Sequence, residues 1–338
     1  MLTSNFSIFR IYADKDNKPA EYSEDNVPYQ PNRHLSISTQ GVKPGDFTMV
    51  YGFPGRTDEY LPAVAVKQIT QVLNPAKISI RKTALDIMDK EMRASDDVRI
   101  KYASKYARVA NYYKKWIGEN TGIQKTRGIK RKEEFEAAFM DALSSNDVDP
   151  QYSGLLNLYD SLYDQMESVA LARDYFIEIA YRGVEIIKFA NKASKFIRTG
   201  NIEDLEKFKK SISGHFKNYD ANTDALLFDA LLDKYHTDQA DSEYLPAYFN
   251  GKMYTASEVF SKSYFSNQEN LEDLFNSSLK KIQKKLSKDP AFKVASALYG
   301  HYRDVIYDKY WALEDELDAI DRLYIKAMME VLPDYRNY

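Results

Sequence analysis

GDFTMVYGFPGRTDEY, residues 45–60, is a β-type stretch at the head of a chain that afterwards has helical periodicity almost throughout. Lys43-Pro44-Gly45-Asp46 has turn composition, with proline and glycine at the positions a tight turn favours. It leads into the apolar run Phe47 to Tyr51, which Gly52-Phe53-Pro54-Gly55 stops. Upstream, Phe6 to Tyr12 and His34 to Ser38 are also rich in β-formers, which makes three strands the expectation before Leu61. Three short strands leave exposed edges and one coverable face, so they read as part of a larger β structure.

After Leu61 the spacing changes to 3.6. Ala63 to Leu73 reads as a first helix ended by Asn74-Pro75, and Ile80 to Ile117 as a long helical stretch divided at Ser95-Asp96 by an N-cap and ended by Gly118 and Gly122. Further helices are expected over Lys130 to Leu143, Tyr152 to Arg198, Asn201 to Lys217, Asp220 to Tyr235, Ser257 to Tyr264, Gln268 to Leu286 and Asp289 to Leu332. Gly200 followed by Asn201 fixes one corner as C′ glycine and N-cap, and Asp289-Pro290 opens the last helix. Short connections make neighbours antiparallel, so the fold class is mainly α: a large up-and-down helical domain preceded by a partial antiparallel β segment.

Composition narrows the chemistry. At 338 residues, 44% hydrophobic and 14% aromatic, the chain can bury a sizeable core. A formal net charge of -3 argues against nucleic acid or an anionic membrane as the main partner. No apolar run reaches a membrane span, and Met1 to Ser7 has no signal-peptide layout. The absence of cysteine removes disulfides, thiolate metal sites and a cysteine nucleophile.

His34, His215, His236 and His301 lack metal-pair spacing, so no metal is expected. The carboxylates read largely as solvated helix surface, and Lys125 to Lys132 as a solvated helix entrance. The 27 tyrosines, Tyr152, Tyr159 and Tyr163 among them, read as packing residues with hydroxyls at the rim. No P-loop, dinucleotide fingerprint, GxSxG elbow or GNSGG segment occurs, so the residues alone assemble no complete active site.

PGDFTMVYGFPGRTDEYLP resembles the corresponding segment of the bacterial dipeptidyl-peptidase 7 and 11 family, serine exopeptidases with a chymotrypsin-like double barrel and an inserted helical domain. FSIFRIYADKDNKPAEYSEDNVPYQPNRHLSIS looks like the family's first-barrel strands, and KISIRKTALDIMDKEMRASDDVRIKYASKYARVANYYKKWIGENTGI like the start of its helical domain. The resemblance implies trailing strands of the first barrel over 1–61, a helical substrate-capping domain over 62–332, and the start of a return to the second barrel over 333–338. It implies hydrolysis of dipeptides from peptide N-termini without a cofactor, a peptide substrate with a free N-terminus, and a periplasmic or cell-surface location; it allows a homodimer.

The resemblance places the family's catalytic histidine before this region and its serine after it. Thr3-Ser4-Asn5-Phe6-Ser7 aligns with the segment that carries the catalytic aspartate, so Asn5 stands at that position. In a serine-protease triad the change from aspartate to asparagine costs about 10⁴ in kcat, because the amide neither fixes the histidine tautomer nor stabilises the imidazolium. Either the first residues are a cloning scar or misplaced start, or the chain is a degenerate homologue; the second alternative leaves a noncatalytic helical peptide-binding protein. Within ARVANYYKKWIGE, Asn111 aligns with the family asparagine that helps hold the substrate's α-amino group. An amide oxygen accepts from an ammonium without burying a second charge. The plain alternative for Asn111 is a hydrogen bond along the helix surface. Tyr112, Tyr113 and Trp116 either line the cleft or pack, with packing the stronger expectation.

Overall fold

Side-chain caps and tight turns mark the element boundaries wherever the signal is local. A computed structural model describes residues 8–49, 51–52, 60–145, 149–251 and 253–332. Asn5, residues 333–338 and much of the 45–60 stretch therefore lie outside the described residues. The chain divides into two units, Met1–Thr57 and Asp58–Tyr338.

In the first unit, β1 (Tyr12–Ala13) pairs antiparallel with β2 (Val27–Pro28), Tyr12 opposite Pro28 and Ala13 opposite Val27. The connection is tied by the Asp14 carboxylate, which accepts from the backbone N–H groups of Asp16 and Lys18. Asn17, at φ 63°, exchanges two hydrogen bonds with the Gln30 backbone. The turn at Lys43-Pro44-Gly45-Asp46 forms as its composition predicts: the Asp46 N–H donates to the Lys43 carbonyl at 3.1 Å, and Gly45 takes φ 93°. The expected strands at 34–38 and 47–51 do not form among the described residues. Their alternating apolar side chains are bare instead: Leu35, Ile37 and Phe47 are all about nine-tenths exposed. A strand needs a hydrogen-bonded neighbour as well as a pattern, and the neighbour is a tertiary matter.

The second unit is helical. Its elements are α1 (Ala63–Gln68), α2 (Asn74–Ala94), α3 (Asp96–Lys125), α4 (Gly128–Ser145), α5 (Leu155–Tyr175), α6 (Glu185–Lys192), α7 (Ser194–Thr199), α8 (Ile202–Phe216), α9 (Ala221–Asp238), α10 (Ala256–Lys262), α11 (Gln268–Phe275), α12 (Leu279–Leu286), α13 (Pro290–His301) and α14 (Asp308–Val331). Ser95 caps α3 by accepting from the Val98 N–H, Asn201 caps α8 through the Asp204 N–H, and Asp289 caps α13 through Ala291 and Phe292. Gly200 ends α7 at φ 69°.

Three π-helical turns, Ile69–Leu73, Phe176–Tyr181 and Tyr302–Tyr307, interrupt the helices. The first corrects the expectation that Asn74-Pro75 ends the first helix: α2 starts there, and the wide turn before it accommodates the proline ring. Gly118 and Gly122 lie inside α3, whose neighbours carry it on to Lys125. The expected helix from Tyr152 to Arg198 is broken at 182–184, and that from Gln268 to Leu286 at 276–278.

Two hydrophobic clusters organise the helical unit. One gathers Ile80, Met88, Tyr102, Phe189, Phe208, Phe228 and Phe265 from α2, α3, α6, α8, α9 and the turn after α10. The other joins α4, α5 and α14 around Phe139, Tyr159 and Tyr324, with edge-to-face ring contacts of Tyr324 to Phe139 at 5.2 Å and to Tyr159 at 5.5 Å. Tyr159 is fully buried, and its hydroxyl donates to Asp321 at 2.5 Å. Phe176 stacks on Tyr302 at 4.2 Å, so two of the π turns touch. No helix among the described residues is long and apolar enough to cross a membrane.

Candidate functional site

The face of α3 that carries Lys105, Arg108, Asn111 and Tyr112 follows the three-and-four spacing of a single helix surface. It forms one wall of an open cavity of about 880 Å³. Arg81 of α2, the segment Tyr181 to Gly183, Lys188 and Lys192 of α6, and His215 near the end of α8 complete it.

Behind this wall lies a buried polar layer, an exception to the expectation that the carboxylates are largely solvated. Glu178 lies in the π turn before Gly183, where its side chain points inward. The Arg81 guanidinium donates to it through Nε at 2.6 Å and Nη2 at 3.1 Å, with both side chains about 95% buried. Arg81 Nη1 donates to the Val109 carbonyl at 3.0 Å, and the guanidinium lies over the Trp116 ring at 4.7 Å and the Tyr112 ring at 5.3 Å. One arginine thus ties α2, α3 and the π turn together and sets the orientation of α3.

The first turn of α6 is held from α9. Asp224, fully buried, accepts from the backbone N–H groups of Glu185 at 2.7 Å and Ile186 at 2.8 Å, and from the Tyr219 hydroxyl at 3.1 Å. Burial first, and then the neighbouring Glu185 carboxylate, push the Asp224 carboxyl up. Glu185 Oε1 accepts from the Tyr102 hydroxyl at 2.8 Å and from Lys105 Nζ at 2.6 Å. Lys105 donates also to the Asn218 carbonyl.

His215 stacks flat on Phe189 at 3.8 Å. Burial, and next the charges of Lys105 and Lys192, push its pKa down from 6.5 to about 3. The imidazole is therefore neutral in the fold at neutral pH, whereas the unfolded chain takes up a proton below pH 6.5. The folded pKa is the depressed one, so the stabilising contribution is present above pH 6.5 and is lost as pH falls toward 3. Melting of the parent and of His215→Phe between pH 7.5 and 4.5 checks this. The phenyl ring keeps the stack, and the parent is expected to lose up to about 1.4 kcal/mol more per pH unit in the acid limb. Equal acid slopes would overturn the assignment. Two of the other histidines are also held by packing or hydrogen bonding: His236 stacks on Phe249, and His301 Nε2 bonds the Tyr244 carbonyl at 2.9 Å, whereas His34 is exposed.

Asn111 lies on the exposed side of α3 and faces the cavity, as does Tyr112, which is half exposed. Trp116 is 7% exposed and packs under Arg81 and Lys77, while Tyr113 is outside the cavity lining. The buried partners Arg81, Glu178 and Asp224 escaped sequence reading because their partners are distant in the chain; the helix periodicity does place Arg81 on the inward face with Ala84, Leu85 and Met88.

The second unit is thus a helical body with an open cleft whose walls mix charged, aromatic and aliphatic side chains. Its sequence matches the family model described as peptidase S46 over residues 2–338, and the chain belongs to that family. Relatives include the Asp/Glu-specific dipeptidyl-peptidase of Flavobacterium psychrophilum, 38% identical over 99% of this chain and 48% of the relative. Dipeptidyl-peptidase 7 of Phocaeicola vulgatus is 34% identical over 97% of this chain and 47% of the relative. Among solved structures, Porphyromonas endodontalis DPP11 in complex with the dipeptide Arg-Glu superposes with a TM-score of 0.77 at 25% identity, covering 95% of this chain and 47% of that one. The same protein with Arg-Asp gives 0.76 at 26% identity. The chain spans about half the length of the curated relatives it matches.

Proposed function

We propose that this chain supplies the helical, substrate-gripping part of a serine-type dipeptidyl-peptidase, with the cavity beside α3 receiving the amino end of a peptide. The observation that carries the reading is the position of Asn111, exposed on the cavity wall next to the aromatic face of Tyr112. An amide oxygen there accepts from a peptide ammonium, and the ring beside it offers a surface for the first side chain. Anchoring a peptide by its amino terminus sets the distance from that terminus to the bond that is cut, which is how an exopeptidase counts two residues. Family membership and the dipeptide-bound likeness of DPP11 support the same reading.

Asn111→Ala is expected to weaken binding of a free-amino tripeptide by about 1–3 kcal/mol, the range for a hydrogen bond to a charged group. N-acetylation of the peptide is expected to cause a similar loss in the parent and little further loss in the variant. Titration followed by calorimetry checks both. Unchanged affinity in a variant with the parental melting temperature would remove Asn111 from the site.

A further inference from the structure

Lysines on several helices are answered by a carboxylate four residues away: Lys82 by Asp86, Lys115 by Glu119, Lys207 by Glu203 and Lys326 by Glu330. α12 departs from this pattern. Its sequence is LKKIQKKL, followed by Ser287 and Lys288. No carboxylate stands three or four positions from Lys280, Lys281, Lys284 or Lys288. The one at that spacing from Lys285 is Asp289, which is buried as the cap of α13. Further lysines take those places instead: Lys280 with Lys284, Lys281 with Lys285, and Lys284 with Lys288 are each four apart, a spacing at which like charges repel. Lys280 and Lys281 lie in the first helical turn, where the helix dipole disfavours a cation and no acid is present. All five lysines are exposed, and none has an ion pair among the described residues. Such a row costs folding stability, so its use lies outside the fold.

The apolar side of α12 fixes which way the row faces. Ile282 and Leu286 are buried in the cluster that contains Phe208 and Phe265, and Leu279 packs against it. Gln283 donates to the Ile197 carbonyl of α7 at 3.0 Å. The lysines occupy the opposite, solvent side and line neither the cavity beside α3 nor the smaller one beside Pro62. At the adjoining corner between α7 and α8, Gly200 lies against Gln283, and Ile202, two residues on, is 66% exposed. Arg198 at the end of α7 is also exposed and without an ion pair among the described residues. Basic side chains and one bare aliphatic side chain thus share a corner of the helical unit.

We propose that α12 and the α7–α8 corner form a docking surface for an anionic lipid bilayer, with the lysine row on headgroup phosphates and Ile202 in the apolar boundary beneath them. Lysines are flexible point charges, and a row of them suits a field of mobile phosphates better than one anion of fixed geometry. An exposed isoleucine gains by leaving water at a bilayer interface and gains nothing along a nucleic-acid backbone. The chain as a whole carries -3, so the attraction is confined to this face, and the attachment is peripheral, reversible and screened by salt. It is independent of the amino-end reading of Asn111 and concerns where the protein sits, not what it cuts.

The test mixes the 338-residue chain with vesicles of phosphatidylcholine, alone or with about one-third phosphatidylglycerol, and reads the bound fraction by co-sedimentation. Binding is expected to the anionic vesicles only and should fall as salt is raised. A lysine near an anionic leaflet contributes about fivefold to partitioning, so Lys280→Gln, Lys281→Gln, Lys284→Gln and Lys285→Gln together should lower it on the order of a hundredfold. That variant should melt no lower than the parent, because it loses like-charge repulsion and no ion pair. Changing Lys82, Lys115, Lys207 and Lys326 to glutamine removes the same net charge and should reduce partitioning far less. Ile202→Ser should weaken it roughly severalfold at every salt concentration. No binding to the anionic vesicles overturns the docking surface, and so does an equal loss in the two four-lysine variants, which would assign binding to overall charge. Unchanged partitioning of Ile202→Ser removes the apolar contact. Tighter binding to a DNA duplex, lost in the same α12 variant, would overturn the bilayer in favour of a nucleic-acid backbone.

Discussion

Arg81→Met is expected to lower folding stability by about 3–5 kcal/mol, the cost of removing one partner from a buried ion pair. The loss arises chiefly from Glu178, whose side chain is 5% exposed and would keep only the half-exposed Arg182 at 3.4 Å. The Val109 carbonyl would lose its donor as well. Urea denaturation of the single variants and of Arg81→Met with Glu178→Met checks the origin. The double variant should recover most of the loss, since an apolar pair of similar volume carries no orphaned charge. A single variant less than about 1 kcal/mol below the parent would show that water or a rearranged Arg182 satisfies Glu178 instead. Tyr112 rests on the Arg81 guanidinium, so peptide affinity should fall together with stability in the single variant.

Gly183→Ala is expected to cost roughly 3 kcal/mol, although a glycine-to-alanine change normally stabilises by restricting the unfolded chain. A methyl group at Gly183 would come within 2.6 Å of the Glu178 carbonyl oxygen, 2.9 Å of the Ile179 carbonyl oxygen and 2.8 Å of Leu231 Cδ1. Two of those neighbours are backbone and cannot rotate away. The Ile179 carbonyl also accepts from the N–H groups of Gly183 and Val184, so the backbone shift needed would disturb the end of the π turn and the start of α6. Thermal melting measures the cost. A variant as stable as the parent would mean that this corner relaxes freely and does not fix the cavity wall.

The parts of this architecture that were legible in the sequence are those written in consecutive residues. Ser95, Gly200 with Asn201, and Asp289 with Pro290 each combine a cap with its turn within four positions, and each boundary forms where that chemistry puts it. Gly45 follows the same rule. Pairing across the chain was not legible. Arg81 and Glu178 are 97 residues apart, and nothing near Glu178 separates it from a solvated helix glutamate. The π turns carry no breaker residues of their own, so periodicity reads straight through them. Residues 34–38 show the reverse failure, since their alternation is real and the hydrogen-bonded neighbour that would make them a strand is not among the described residues. Asn111 was placed through the family resemblance, because a single polar residue on a helix surface has no distinguishing local pattern.

A π turn absorbs one surplus residue while the α-helical stretches on either side keep their angular phase, which an insertion within a regular helix would shift by about 100°. Ile69–Leu73, Phe176–Tyr181 and Tyr302–Tyr307 are therefore the places where kindred sequences can differ by a single position without rotating an apolar stripe out of register. Alignment gaps belong there rather than inside α5, where a one-residue slip would swing Tyr159 and Met166 toward water.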